Sequence, residues 1–209
     1  MRIDSTGARR ELWFDAANRT VTAFALSVFV VRVAHQDVMH RLPLFLLLVA
    51  ESLTVLLVLF ARRTPRVDRG ALSLLLTAIG TFYFLAVGLG AGVRLVPLPV
   101  GEAIQLAGIC LQITAKAWLG RSFGLLPAHR GVVTTGPYRL VRHPIYLGYF
   151  LNHVGYLAGA FSFRNLFVYA TLYTVQILRM LAEERCLAED DAYARYMARV
   201  RYRFIPLLF

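Results

Sequence analysis

Apolar residues run along this chain in long blocks, without the strict alternation of a half-buried strand or the narrow stripe of a soluble surface helix. Six blocks approach the length of a bilayer core, which a helix crosses with about 20 largely apolar residues. The first, 20–34, is short. The second, 42–61, has Pro43 in its first turn and closes on Arg62 and Arg63. The third runs from 71 to about 96 and stops at Pro97 and Pro99, because proline withdraws a backbone donor and breaks a helix. The fourth, 101–119, follows that turn directly and is expected to form a hairpin with the third. After a polar stretch over 120–142, blocks 145–160 and 165–181 make another pair around Ser162, Phe163 and Arg164. Segment 183–203 is charged but periodic and predicts a helix on the cytoplasmic face. The expected fold is all-α: a polytopic helical bundle of about six transmembrane helices with a cytoplasmic carboxy-terminal helix, in one membrane domain over 1–209.

Composition agrees with the pattern. The 209 residues are 58% apolar and only 17% charged, against about 25% charged in soluble proteins, which excludes an ordinary soluble domain. High hydrophobicity also excludes a disordered chain. The net charge of +11 raises the question of nucleic acid, but the arginines flank apolar blocks and form no basic stripe, so no nucleic-acid partner is expected. Cys110 and Cys186 have no metal-ligand spacing, and no metal is expected. With six spans, only Arg32, Arg41, Arg94 and Arg164 of the 23 basic residues fall on the outer side. The bias of basic residues toward cytoplasmic loops then puts both termini in the cytoplasm of a multi-pass integral membrane protein. The arginine-rich composition fits a bacterial inner membrane, and no small-residue cleavage site of a signal peptide is seen.

Polar groups inside such blocks are costly and mark candidate chemistry. Glu51 sits mid-span, as a substrate or proton site or as a buried hydrogen-bonding group. The run Gly88-Leu89-Gly90-Ala91-Gly92 looks like a nucleotide-binding glycine turn but lacks the strand and helix that turn requires. Gly88 and Gly92 are read instead as a small-residue helix-packing pair.

The densest chemistry is Gly136-Pro137-Tyr138-Arg139-Leu140-Val141-Arg142-His143-Pro144-Ile145-Tyr146-Leu147-Gly148. Pro144 suits the first turn of the next helix, so Arg142 and His143 stand at a helix mouth whose free amides favour an anion. Interfacial anchoring by arginine and tyrosine is the plainer account. The second cluster, Arg179 to Arg185, holds Glu183 and Glu184 at a span exit. Arg179 and Glu183 can pair along one face, while paired carboxylates can also accept a ribose diol or balance a cation. Tyr193, Tyr196, Arg199 or Val200, and Arg203 recur at three and four along a single stripe, as they also would on an amphipathic surface helix.

Taken in order, a GPYRxxRHPxYxG stretch opening a hairpin, an EE pair closing it and a Tyr/Arg-rich tail reaching RxRFIP resemble the integral-membrane methyltransferases of the isoprenylcysteine carboxyl methyltransferase type, with phospholipid methyltransferases as relatives. The resemblance covers 119–209. It therefore divides the chain into a variable four-helix region, 1–119, and a cofactor-binding region, 120–209. It implies an S-adenosyl-L-methionine pocket on the cytoplasmic side and a lipophilic or lipid-linked acceptor entering from the bilayer. Tyr138, Arg142, His143, Pro144, Tyr146, Gly148, Glu183, Glu184, Tyr193 and Tyr196 are the implied cofactor-binding residues. Arg199 and Arg203, which would hold an acceptor carboxylate, and Glu184 are the implied catalytic ones. A carboxylate acceptor, already nucleophilic, is the expectation; an amine or thiol would need a base such as Glu51, Glu184 or a tyrosine. Alternatives are a phospholipid amine N-methyltransferase, a membrane reductase using a nicotinamide cofactor, and a non-catalytic scaffold or transport protein.

Overall fold

The computed structural model describes residues 42–62, 70–88, 92–124 and 131–208, with a few helical positions between 20 and 31. The first expected span lies mostly outside the described residues. In chain order the helices are α1 (Leu42–Phe60), α2 (Ala71–Phe82), α3 (Leu98–Leu119), α4 (Pro144–Gly159), α5 (Phe163–Leu187) and α6 (Asp191–Arg199). Short 3-10 turns extend α2 (Tyr83–Leu85) and α3 (Gly120–Ser122), and a third (Gly136–Arg139) precedes α4. Among the described residues the fold is all-helical, apart from one antiparallel bridge between Val93 and Phe161. Two helices are long and apolar enough to cross a membrane, Leu42–Phe60 and the continuous run Leu98–Ser122. Six are not reached on that criterion, because α2 and α4 are short and α5 ends in charge.

The helices are turned polar side in. On α1, Glu51, Thr54 and Val58 are buried while Leu42, Phe45, Val49 and Leu56 stand exposed. On α5 the buried positions Asn165, Tyr169, Leu172, Gln176 and Arg179 recur at four and three, whereas Phe163 and Phe167 are 80% and 74% exposed. Large aromatics are left that bare where lipid is the solvent.

The packing order corrects three expectations. The third span does not continue to 96: α2 ends at Phe82, and beyond the turn at Tyr83–Leu85 the chain leaves helical form, so the third and fourth blocks make no hairpin. Leu95 N–H reaches Ala158 O and Val93 pairs with Phe161, so the chain from 92 to 96 lies across the turn between α4 and α5. Helix α2 packs on α5, and α3 packs along α4. Gly88 and Gly92 are accordingly no helix-packing pair; Gly88 N–H donates to Asn165 Oδ1 at 2.8 Å, and a Cβ on Gly92 would run into the backbone of Ala160 and Phe161. The close helix contact is made by other glycines. A Cβ on Gly108 would meet Asn152 N and Gly148 O, and one on Gly155 would meet Gly101 O and Gln105 N. Glycines seven apart on both helices let α3 and α4 approach backbone to backbone. Finally, 183–203 is not one helix. With no breaker after Leu181, α5 carries Glu183 and Glu184 on to Leu187, and Asp190 then starts α6 by accepting the Ala192 N–H at 2.7 Å.

Candidate functional site

Pro144 occupies the first turn of α4 as expected, and a 3-10 turn brings the chain to it. Gly136 opens that turn at φ +59, and a Cβ there would strike the Trp118 ring, so both its backbone angle and its space call for glycine. Its neighbour Tyr138 is buried, its hydroxyl donating to Ala115 O at 3.3 Å, while Tyr196 from α6 donates to Tyr138 O at 2.7 Å. Tyr138, Tyr193, Tyr196, Val200 and Ala115 form one core cluster, which fixes α6 against α3 and the helix mouth.

Glu184 is the hub of this end. It accepts from Arg142 Nε at 2.7 Å and Nη2 at 3.2 Å, from His143 Nε2 at 3.2 Å, and from Arg203 Nε at 2.9 Å. Arg142 Nη1 also donates to Val200 O and Arg201 O, and the amides of Arg142 and His143 donate to Tyr202 O and Arg203 O. The tail is thereby stitched to the mouth of α4. Burial alone would raise the Glu184 carboxyl, but the hydrogen bonds from His143, Arg142 and Arg203 outweigh it and hold it at about 2. Burial, and after it the Glu183 carboxylate, push the Tyr138 and Tyr193 hydroxyls above the usual phenol range, so both remain donors at neutral pH.

Above this clamp lies a cavity of about 220 Å³. Tyr138, Arg142, His143, Pro144, Tyr146, Glu183, Tyr193 and Tyr196 line it, so eight of the twelve site residues implied by the family resemblance meet on one wall system. Four do not. Glu184 sits beneath the cavity in the clamp, Gly148 faces Gln112 and Gly108 in the α3–α4 contact, and Arg199 is exposed at the end of α6. Arg203 is held by Glu184 through Nε.

The cavity continues inward along one face of α4 through Tyr146, Tyr149, His153 and Tyr156, and α5 supplies Tyr169, Gln176 and Arg179. Arg179 and Glu183, one helical turn apart, both line it, and Arg179 Nη1 donates to Gln176 Oε1 at 3.2 Å. Gly80 leaves room for that guanidinium, since a Cβ there would lie 2.7 Å from Arg179 Nη1. Glu51 also lines the cavity, 3.5 Å from Lys116 Nζ and 3.5 Å from the Tyr149 hydroxyl, and Lys116 donates to Ala50 O at 3.2 Å. By its place near the end of an apolar block Lys116 reads as one more cytoplasmic boundary charge, but it is fully buried within α3. His153 and its tyrosines passed unnoticed in the sequence, although His153, Tyr156 and Tyr149 recur at helical spacing from the RHP segment onward. That periodicity was the available signal.

Residues 99–194 match the model of the phospholipid methyltransferase family. The match runs from α3 into α6 and agrees with the resemblance carried by the RHP and EE residues. No curated protein matches the chain.

Proposed function

We propose, from the likeness of residues 99–194 to phospholipid methyltransferases, that this protein is an integral-membrane methyltransferase that takes its methyl group from S-adenosyl-L-methionine and acts on a lipophilic acceptor. The observation that carries the reading is a single cavity whose outer end is polar and whose inner end is walled by rings. The outer end suits the donor's chemistry group by group. Glu183 offers a carboxylate to its ammonium or ribose diol, and Arg179 offers a guanidinium to its carboxylate. Tyr138, Tyr146, Tyr193 and Tyr196 offer faces to adenine and to the sulfonium, an attraction between cation and ring. Arg142 and His143 line the same end, and their bonds to Glu184, one layer below, hold the helix mouth and tail in place. When bound, the donor supplies a methyl group activated by a positively charged sulfur. The protein's part is alignment and exclusion of water, for which the buried clamp and the ring-lined interior are suited.

The acceptor enters the inner end, which borders the lipid-facing helices α1 and α2. Arg199 and Arg203, expected to hold an acceptor carboxylate, do not line the cavity. A phospholipid amine is the second reading, favoured by the description of the matching family. Calorimetric titration of S-adenosylhomocysteine into the detergent-purified protein tests the donor pocket. Micromolar binding is expected for the parent, with at least a tenfold loss in Glu183→Ala and in Arg179→Met. A well-folded parent that does not bind it removes the proposed function, and nicotinamide dinucleotides become the next ligands to try.

A further inference from the structure

His153 lies on the cavity wall with both ring nitrogens engaged by phenols: Nε2 is 2.9 Å from the Tyr83 hydroxyl and Nδ1 is 2.7 Å from the Tyr173 hydroxyl. Its ring stacks on Tyr169 at 4.3 Å between centroids. Both nitrogens are thereby satisfied, and the ring is fixed between helices α4 and α5 and the turn after α2. Tyr83 also lines the cavity, and its hydroxyl meets the imidazole. The remaining titratable neighbours are Tyr149 and Tyr156 on the same helix, and beyond Tyr149 the Glu51–Lys116 pair. Among the described residues, His153 Nε2 is the hydrogen-bond partner of the Tyr83 hydroxyl.

A carboxylate acceptor carries no proton to remove and leaves such a relay idle. The surrounding rings, with Phe29 and Phe84 5.0 Å apart at the inner end, favour an aromatic molecule by edge and face packing. Resting on the methyltransferase reading above, we propose that the acceptor is a lipophilic phenol whose hydroxyl proton passes through Tyr83 to His153. The phenol's O–H bond breaks and an O–methyl bond forms, while the methyl–sulfur bond breaks with its electron pair left on sulfur. Tyr83 oxygen receives the acceptor's proton as its own moves to His153 Nε2. The positive charge that began on sulfur ends on the imidazole, whose Nδ1–H is held by Tyr173, so no net charge has to enter or leave a buried site. Tyr83 is the catalytic residue here; His153 acts through it.

The test has two parts and uses the full chain in detergent. First, a long-chain alkyl nitrophenol is titrated into the protein without donor, and its absorption spectrum reports the ionisation and hydrogen bonding of its hydroxyl. A shift toward the phenolate band is expected on binding, lost in Tyr83→Phe and in His153→Phe while S-adenosylhomocysteine binding stays unchanged. Second, release of S-adenosylhomocysteine is compared for the nitrophenol, dodecanoate, dodecanethiol and phosphatidylethanolamine vesicles. Turnover of the phenol is expected, with kcat falling about a hundredfold or more in His153→Phe, the range for a removed general base. Below the nitrophenol's own pKa the variant's rate should also rise about tenfold per pH unit and level off above it, since the acceptor must then ionise unaided. Preferred turnover of any other acceptor, an unshifted nitrophenol spectrum, or a His153→Phe variant with parental rate and pH profile overturns the proposal. Failure of the parent to bind S-adenosylhomocysteine removes the methyltransferase reading itself, and this proposal with it.

Discussion

Glu183 and Glu184 are chain neighbours with opposite employment, and the helix explains it. About 100° separates successive side chains, so one carboxylate turns to the cavity and the other into the clamp of Arg142, His143 and Arg203. Glu184→Gln leaves two guanidinium groups facing a neutral amide in a buried site, and removing one partner of such a pair costs about 3–5 kcal/mol. A melting temperature lowered by several degrees in detergent is expected, whereas Glu183→Gln should melt with the parent and bind S-adenosylhomocysteine at least tenfold more weakly. Equal melts for both variants would show that the clamp holds nothing. The same group sets an acid limit. Its carboxyl lies at about 2 in the folded protein against an ordinary 4.5, so the ionised form stabilises the fold at every pH above 4.5. That stabilisation is lost as the pH falls from 4.5 toward 2, where the unfolded chain binds the proton first. Melting curves from about pH 6 down to about pH 3 should show the fall in the parent and a smaller one in Glu184→Gln.

At the scale of elements, the α3–α4 contact decides whether the cavity exists, because α4 carries the helix mouth and most of the ring-lined wall. A Cβ on Gly148 would lie 2.6 Å from Gln112 Cγ and 2.7 Å from Gly108 O. Overpacking of this kind costs about 1–3 kcal/mol, so Gly148→Ala should lower the melting temperature and weaken S-adenosylhomocysteine binding together. Gly159, at the end of the same helix, has open space around its Cβ position, and Gly159→Ala should be neutral or stabilising by up to about 1 kcal/mol. Equal effects at both positions would deny that close approach governs the site. Gly148 also shows what sequence alone can resolve. Its place in the RHP segment was visible, but whether it faced ligand or helix depended on α3, whose matching glycines at 101 and 108 gain meaning only once the two helices are known to pair. The RHP, EE and Tyr193/Tyr196 groups were legible because each is local and lies near a helix end. The end of the third span was not: nothing within 83–96 before Pro97 breaks an apolar helix outright, and the bridge from Val93 to Phe161 is a contact across 68 positions.

Over the whole molecule, charge placement separates the lipid-facing exterior from the working interior. Glu51 of α1 and Lys116 of α3 meet at 3.5 Å with side chains 9% and 0% exposed, and Lys116 lies 4.9 Å from the centre of the Tyr149 ring. Each charge alone would be expensive at membrane depth. Together they tie the first described helix, which lies outside the family match, to the region inside it. Position along the sequence hid this, since Lys116 stands three residues from the end of an apolar block and reads as a boundary charge until α3 is seen to continue through Ser122. If the pair acts as a unit, the single variants Glu51→Gln and Lys116→Met should each be destabilised by about 3–5 kcal/mol, because each strands the other charge. The double variant should recover most of that loss and could exceed the parent, as replacing a whole buried pair by neutral groups often does. Thermal melts of the four proteins in one detergent close the cycle. Additive losses in the double variant would mean that Glu51 and Lys116 are held by separate partners. A double variant that melts like the parent yet no longer turns over acceptor would place the pair's importance in the cavity and not in the fold.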